Sequence, residues 1–105
     1  MHIEVNASDV QTSQAIIDHV HAEVEKAMRF FRERTTRVEV HLKDLNSNKG
    51  GQDKRCLMEA RLAGQNPIAI EHEAADLYLA ISGAADKLHR AVQKKIDRLD
   101  TRTSA

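Results

Sequence analysis

The sequence contains few aromatic residues and only one cysteine, residue types that are typical of several large classes of protein. Aromatic side chains make up 3% of the 105 residues and tryptophan is absent, so the aromatic platforms of single-stranded nucleic-acid modules are scarce. A single cysteine, Cys56, excludes an internal disulfide and fits a reducing compartment. No apolar run approaches the roughly 18 residues of a membrane span, and the first residues lack the pattern of a signal peptide. We therefore expect a cytoplasmic protein with no membrane partner.

Charge is balanced, with 16 Lys and Arg against 16 Asp and Glu. Domains that bind nucleic acid are usually basic, because neutralising phosphates supplies much of their affinity. Such a partner therefore requires the cations of this chain to be gathered on one face. Apolar residues make up 41% of the sequence, enough for the core of one small domain. We expect that domain over residues 1–100, followed by a polar, frayed tail over residues 101–105.

Hydrophobic periodicity predicts the element order βαβββα. The first helix follows a Ser or Thr cap at Thr12 or Ser13 and runs to about residue 34, and the second covers about 74–100. The polar segment 46–54 predicts an exposed loop. The predicted strands begin at residues 2, 37, 55 and 68.

Each predicted helix has one apolar stripe and each strand has one apolar face. The economical packing is an α+β fold of two layers, with both helices on one side of a four-stranded sheet. The helical crossover favours a parallel first strand pair, and the later short connections favour antiparallel pairs. The other face of the sheet carries alternating charges of both signs, and we call it the solvent face. Cross-strand ion pairs account for those charges.

Cations gather on one side of the last helix. Projected at about 100° per residue, four of them fall within an arc of roughly 80°. Acidic residues of the same helix gather on the opposite flank, and a row of cations separated in this way suits a polyanion such as a phosphate backbone. We call this set the basic row, and its members are Lys87, Arg90, Lys94 and Arg98. The acids are Asp86, Asp97 and Asp100. Further candidates for the same surface are Lys95, Lys26 and Arg29.

Other site chemistries find little support. Asp44, Asn46 and Asn48 have the opening spacing of a calcium loop, but Lys49 and Arg55 occupy the positions that need Gly and Glu. The histidines and Cys56 show none of the spacings of a zinc site. No phosphate loop or nucleophile motif is present either. We expect no catalytic residue, no metal and no cofactor.

The segments ADLYLAI and DKLHRAVQKKIDRL resemble the hibernation-promoting factor family, also called ribosome-associated inhibitors or sigma-54 modulation proteins. The distinctive spacing is D-x-Y-x-A-I followed by D-K-L-x-R, and the likeness covers essentially the whole chain in a short form. It implies a fold like that of double-stranded-RNA-binding domains. It also implies binding to the small ribosomal subunit and its RNA between head and body, where the messenger and transfer RNA path is blocked. The matching basic positions are Lys87, Arg90, Lys94, Arg98 and Lys26.

A protein-interaction module on the same fold, with RNA binding weakened or lost, is the alternative. It would use the solvent face, with Leu57 as a modest anchor. Binding that weakens steeply with salt would favour RNA over such a partner. We interpret Tyr78 as a core ring with its hydroxyl at the edge. A monomer without a small-molecule substrate is expected.

Overall fold

Four strands and two helices follow one another in the predicted order. The computed structural model of the protein describes residues 1–45 and 53–103, with side chains as far as residue 101. Most of the predicted loop over residues 46–54 therefore lies outside the described residues. A single 3₁₀ turn over Arg32–Arg34 precedes the second strand. In chain order the elements are β1 (His2–Ser8), α1 (Gln14–Ala27), β2 (Thr35–Asp44), β3 (Lys54–Leu62), β4 (Ile68–Ala74) and α2 (Leu77–Thr103).

The strands form one mixed sheet in the order β1-β2-β3-β4. β1 is parallel to β2, with Ile3 opposite Val38, whereas β2–β3 and β3–β4 are antiparallel. α1 and α2 pack against each other and share a single hydrophobic core with the strands. The α+β fold predicted from the sequence is therefore confirmed.

The core is aliphatic, as the shortage of aromatic residues requires. Side chains that alternate along β2 and β3 point into it, and the central ones are fully buried. They are Val38, Val40, Leu42, Cys56, Met58 and Ala60. Burial raises the pKa of the Cys56 thiol to about 12. This thiol is therefore neutral at physiological pH, and the interpretation of Cys56 as an unreactive core residue is supported.

α1 begins as predicted and ends earlier. The Ser13 hydroxyl accepts a hydrogen bond from the Ile16 amide at 3.2 Å, so Ser13 is the N-cap. The helix ends at Ala27, and the prediction that it continues to residue 34 is wrong. Met28 and Phe31 are both buried, and the chain reaches them through a turn. Apolar spacing of three or four residues does not distinguish that turn from a continued helix.

α2 is displaced by about one turn from its predicted bounds. Ala74, predicted to start the helix, is the last residue of β4 and pairs with Lys54. Asp76 caps the helix instead, because its carboxylate accepts a hydrogen bond from the Leu79 amide at 2.9 Å. Residues 101–103, predicted as part of a frayed tail, are helical. Among the described residues, no helix is both long and apolar enough to cross a membrane.

A glycine allows α2 to approach β4 closely. A Cβ atom added at Gly83 would lie 2.1 Å from Cδ2 of His72, which projects from β4 towards the helix. We expect Gly83→Ala to destabilise the protein by about 1–3 kcal/mol, because the imidazole must leave its place. Helix propensity alone would stabilise the variant by roughly 0.5–1 kcal/mol. Urea unfolding followed by circular dichroism measures the sign.

The control for Gly83→Ala introduces the same substitution into a His72→Ala variant. Once the imidazole is removed, adding Gly83→Ala should raise the unfolding midpoint, because only the gain in helix propensity remains. A higher midpoint for Gly83→Ala in the otherwise unchanged protein would contradict the close packing of α2 on β4.

Candidate nucleic-acid interface

The basic row lies on the solvent side of α2. Burial of the opposite stripe, including Ile81, Leu88 and Val92, fixes the rotation of the helix. All four members of the row are exposed, and successive members are three or four residues apart along the helix. Neighbours at this spacing lie roughly 5–6 Å apart. Lys95 is half-buried, between the row and the core edge, as the helical projection predicts.

Two members of the basic row make contacts within the molecule. Arg90 donates to a carboxylate oxygen of Asp86 at 2.6 Å, and Lys87 donates to the backbone carbonyl of Glu71 at 3.1 Å. The Arg90–Asp86 pair is an exposed i, i+4 pair, and such pairs contribute only about 0.3–0.5 kcal/mol. In the described part of the chain, Lys94 and Arg98 have no salt bridge to an acid. They are thus the members of the row most accessible to an external anion.

The predicted separation of charges on α2 holds only in part. Asp86 was placed on the flank opposite the cations, but it pairs with Arg90. The reason is that Arg90 lies at the border of the basic arc, one helical turn from Asp86. The other two acids have partners elsewhere. Asp97 accepts from Gln93 at 2.9 Å, and Asp100 accepts from Arg34 at 3.1 Å.

The two further candidates lie in the last turn of α1 and just beyond it, not on α2. Lys26 is exposed in the last turn of α1 and lines a groove between α1 and α2, together with Glu23 and Asp86. Arg29 is beyond the end of α1, and its guanidinium carbon lies 5.7 Å from the centre of the Phe30 ring. The sequence prediction that both residues share one helix is therefore wrong for Arg29.

Two histidines join the helices, and sequence reasoning missed both. His89 Nδ1 lies 2.9 Å from the Ala27 carbonyl at the end of α1, and its ring is 5.7 Å from that of Phe31. His19 Nε2 lies 3.0 Å from the Ser82 hydroxyl. The spacing of neither histidine predicts its contact, because the hydrogen-bond partners Ala27 and Ser82 are each more than 60 residues away in the sequence.

Tyr78 is not the core ring expected from the sequence. It is 46% exposed and lies beside His19, with ring centres 5.0 Å apart. The ring therefore packs on a side chain of α1 instead of filling the interior, whereas its neighbours Ala80 and Ile81 are buried.

Charges on the solvent face of the sheet neutralise one another. Arg37 pairs with Glu39, Arg61 with Glu59 at 3.0 Å, and Arg55 with Glu73 at 2.9 Å. The hydrogen bond from Arg37 lowers the pKa of Glu39, and that from Arg55 to Glu73 raises the pKa of Arg55. This face therefore offers few uncompensated charges to a polyanion. Among residues 1–45 and 53–103, no cluster of His, Cys, Asp or Glu could hold a metal ion.

Two solved structures of other proteins share this fold. The N-terminal domain of Thermus thermophilus Protein Y matches with a TM-score of 0.72 over 90% of this chain and 98% of that domain, at 26% identity. A ribosomal subunit interface protein from Coxiella burnetii matches with a TM-score of 0.74 over 91% of this chain and 99% of its own, at 20% identity. A comparison with curated protein sequences gave no match.

Residues 3–100 match the family described as sigma 54 modulation protein / S30EA ribosomal protein, and the chain belongs to that family. The resemblance inferred from the last helix is confirmed. This family is ribosome-associated and non-enzymatic, which also confirms the prediction that the protein is not an enzyme. Which surface contacts the ribosome is a separate question. The geometry of the basic row bears on it.

Release of Arg90 should strengthen binding to a polyanion. We expect Asp86→Asn to elute from heparin at higher salt than the unchanged protein, because Arg90 loses its intramolecular partner and a negative charge is removed beside the row. Asp18→Asn is the control, since Asp18 is likewise exposed and bonded to a residue four positions away, Gln14. Equal shifts for the two variants would show that only net charge matters, and would contradict a localised interface.

Proposed function

We propose that the protein is a hibernation factor that binds the small ribosomal subunit through the basic row of α2. In this proposal Lys87, Arg90, Lys94 and Arg98 contact phosphates of ribosomal RNA, and Lys95, Lys26 and Arg29 widen the contact. The bound domain occupies the channel for messenger and transfer RNA and so prevents initiation. The observation that carries the proposal is a row of exposed cations on a rigid helix, in a member of a ribosome-associated family.

Phosphate contact fits the geometry of the row. α2 is about 40 Å long at 1.5 Å per residue, and its cations recur at each turn along the exposed side. Contacts of this kind position a protein on RNA without reading its sequence. The shape of the channel would then select the site, in keeping with the general preference for shape in recognising structured RNA.

Balanced net charge is compatible with this role. Many of the acidic and basic side chains are paired with each other, on the solvent face and in the Arg34–Asp100 contact. Lys94 and Arg98 of α2 are exposed and, among the described residues, have no salt bridge to an acid. The alternative, a protein-binding module that uses the solvent face, gains no support from a surface whose charges already satisfy one another. The proposal also implies a cytoplasmic location, one ribosome-binding domain over residues 1–100, action as a monomer, and no cofactor.

Removal of two cations from the row should weaken ribosome binding. We expect Lys94→Gln/Arg98→Gln to reduce co-sedimentation with isolated small subunits. The slope of log affinity against log salt should fall by about 0.7–0.9 for each phosphate that the variant no longer neutralises. The same variant should inhibit translation in a reconstituted extract less than the unchanged protein does.

The charge-matched control is Lys43→Gln/Arg61→Gln, which removes two cations from the solvent face and keeps the basic row intact. It should bind and inhibit as the unchanged protein does. Loss of binding by this control, with retention by the α2 variant, would move the interface to the sheet and support the protein-interaction alternative.

A further inference from the structure

One large apolar side chain, Phe30, is exposed to solvent beside the cations at the end of α1. Phe30 is 78% exposed, whereas its neighbour Phe31 is 4% exposed. Isolated apolar residues are common on protein surfaces, so exposure alone assigns no role. We assign Phe30 a role because of its surroundings, which combine a fixed backbone with a local excess of positive charge.

The turn that carries Phe30 is held on both sides. The Phe31 amide donates to the Met28 carbonyl at 2.9 Å, and the Thr35 hydroxyl donates to the Phe31 carbonyl at 2.7 Å. His89 of α2 contacts the Ala27 carbonyl just before the turn, at 2.9 Å. The ring is therefore presented from an ordered backbone, so that little conformational entropy is lost when a flat ligand stacks on it.

Positive charge lies beside the ring. Arg29 lies over it at 5.7 Å, within the range of a cation–π contact. Residues 26–34 contain four cations and one acid, Glu33, and three of those cations remain when Arg34, which pairs with Asp100, is left out. Because the ring is so exposed, its face opposite Arg29 is open. An aromatic face amid cations suits a ligand that combines a flat π-system with negative charge, which is the chemistry of an unpaired nucleotide.

We propose that an unpaired base of the bound RNA stacks on Phe30 while Arg29 contacts the adjoining phosphate. This inference rests on the proposed function, because ribosomal RNA is the RNA concerned. It adds a second kind of contact, since the basic row binds phosphates along α2 whereas Phe30 holds one base at the end of α1. A single platform is enough for one base, so the shortage of aromatic residues does not oppose it.

The test compares Phe30→Ala, Phe30→Leu and Phe30→Trp for binding to small subunits at several salt concentrations. We expect Phe30→Ala to bind about tenfold more weakly with an unchanged salt slope, because stacking releases no counterions. Phe30→Trp should bind at least as tightly as the unchanged protein. Phe30→Leu should bind nearly as weakly as Phe30→Ala, because it cannot stack. Leu79→Ala, which truncates another exposed apolar residue (57%), should have no effect. Circular dichroism checks that each variant is folded.

Two results of this comparison would overturn the stacking contact and leave the proposed function standing. One is wild-type affinity of Phe30→Ala while Lys94→Gln/Arg98→Gln fails to bind. The other is full binding by Phe30→Leu, which would indicate apolar contact without stacking. A photoreactive p-azidophenylalanine at position 30 that crosslinks to a ribosomal protein instead of RNA would also overturn it.

A parallel titration separates the two proposals. Because the protein has no natural tryptophan, the indole of Phe30→Trp reports on this site alone. Quenching of its fluorescence by single-stranded oligoadenylate would support the stack even if small subunits were not bound, in which case the proposed function alone would fail. Absence of quenching at concentrations where the oligonucleotide binds would contradict the stack.

Discussion

The burial of one face of α2 is the constraint on which the rest of this structure depends. Ile81, Leu88 and Val92 are fully buried against the sheet, and each such side chain stabilises the fold by about 1.5–3 kcal/mol. Rotating the helix would expose them, so its orientation is fixed far more strongly than surface charges could fix it. The direction in which the basic row points is a consequence of core packing.

Contacts to α1 complete this arrangement. His89 reaches the carbonyl of Ala27, and the chain then turns through Phe31 into the core. The same turn ends α1 and exposes Phe30 and Arg29. The helix–helix junction therefore decides which side chains of the segment after α1 reach solvent. Acids near the row, above all Asp86, limit how much positive charge the surface presents.

The fold could be predicted from the sequence because its elements are strongly periodic. Val38, Val40 and Leu42 alternate along a strand, and the stripe of α2 repeats over several turns, so burial follows directly from spacing. The residues at which the helices begin and end were harder to predict. α1 ends at Ala27, whose carbonyl is contacted by His89 of α2, and α2 begins after the Asp76 cap. Apolar spacing records neither of these hydrogen bonds.

The site was predictable to a similar extent. Exposure of the basic row follows from the helical projection, which needs only the position of the buried stripe. The pairing of Arg90 with Asp86 depends on side-chain choices at the border of the arc. The exposure of Phe30 depends on where α1 stops, and Gly83 is needed because of His72, which comes from another element. These features arise from tertiary contacts between distant residues.

Directed hydroxyl-radical probing tests the central claim most directly. Since Cys56 is buried with a raised pKa, an iron chelate can be attached selectively to a new cysteine. Asp97→Cys places it beside Lys94 and Arg98 on the same surface of α2, and His41→Cys places it on the solvent face. The account predicts cleavage of small-subunit ribosomal RNA that is strong and localised from position 97 and weak from position 41. Strong cleavage from position 41 with none from position 97 would contradict it.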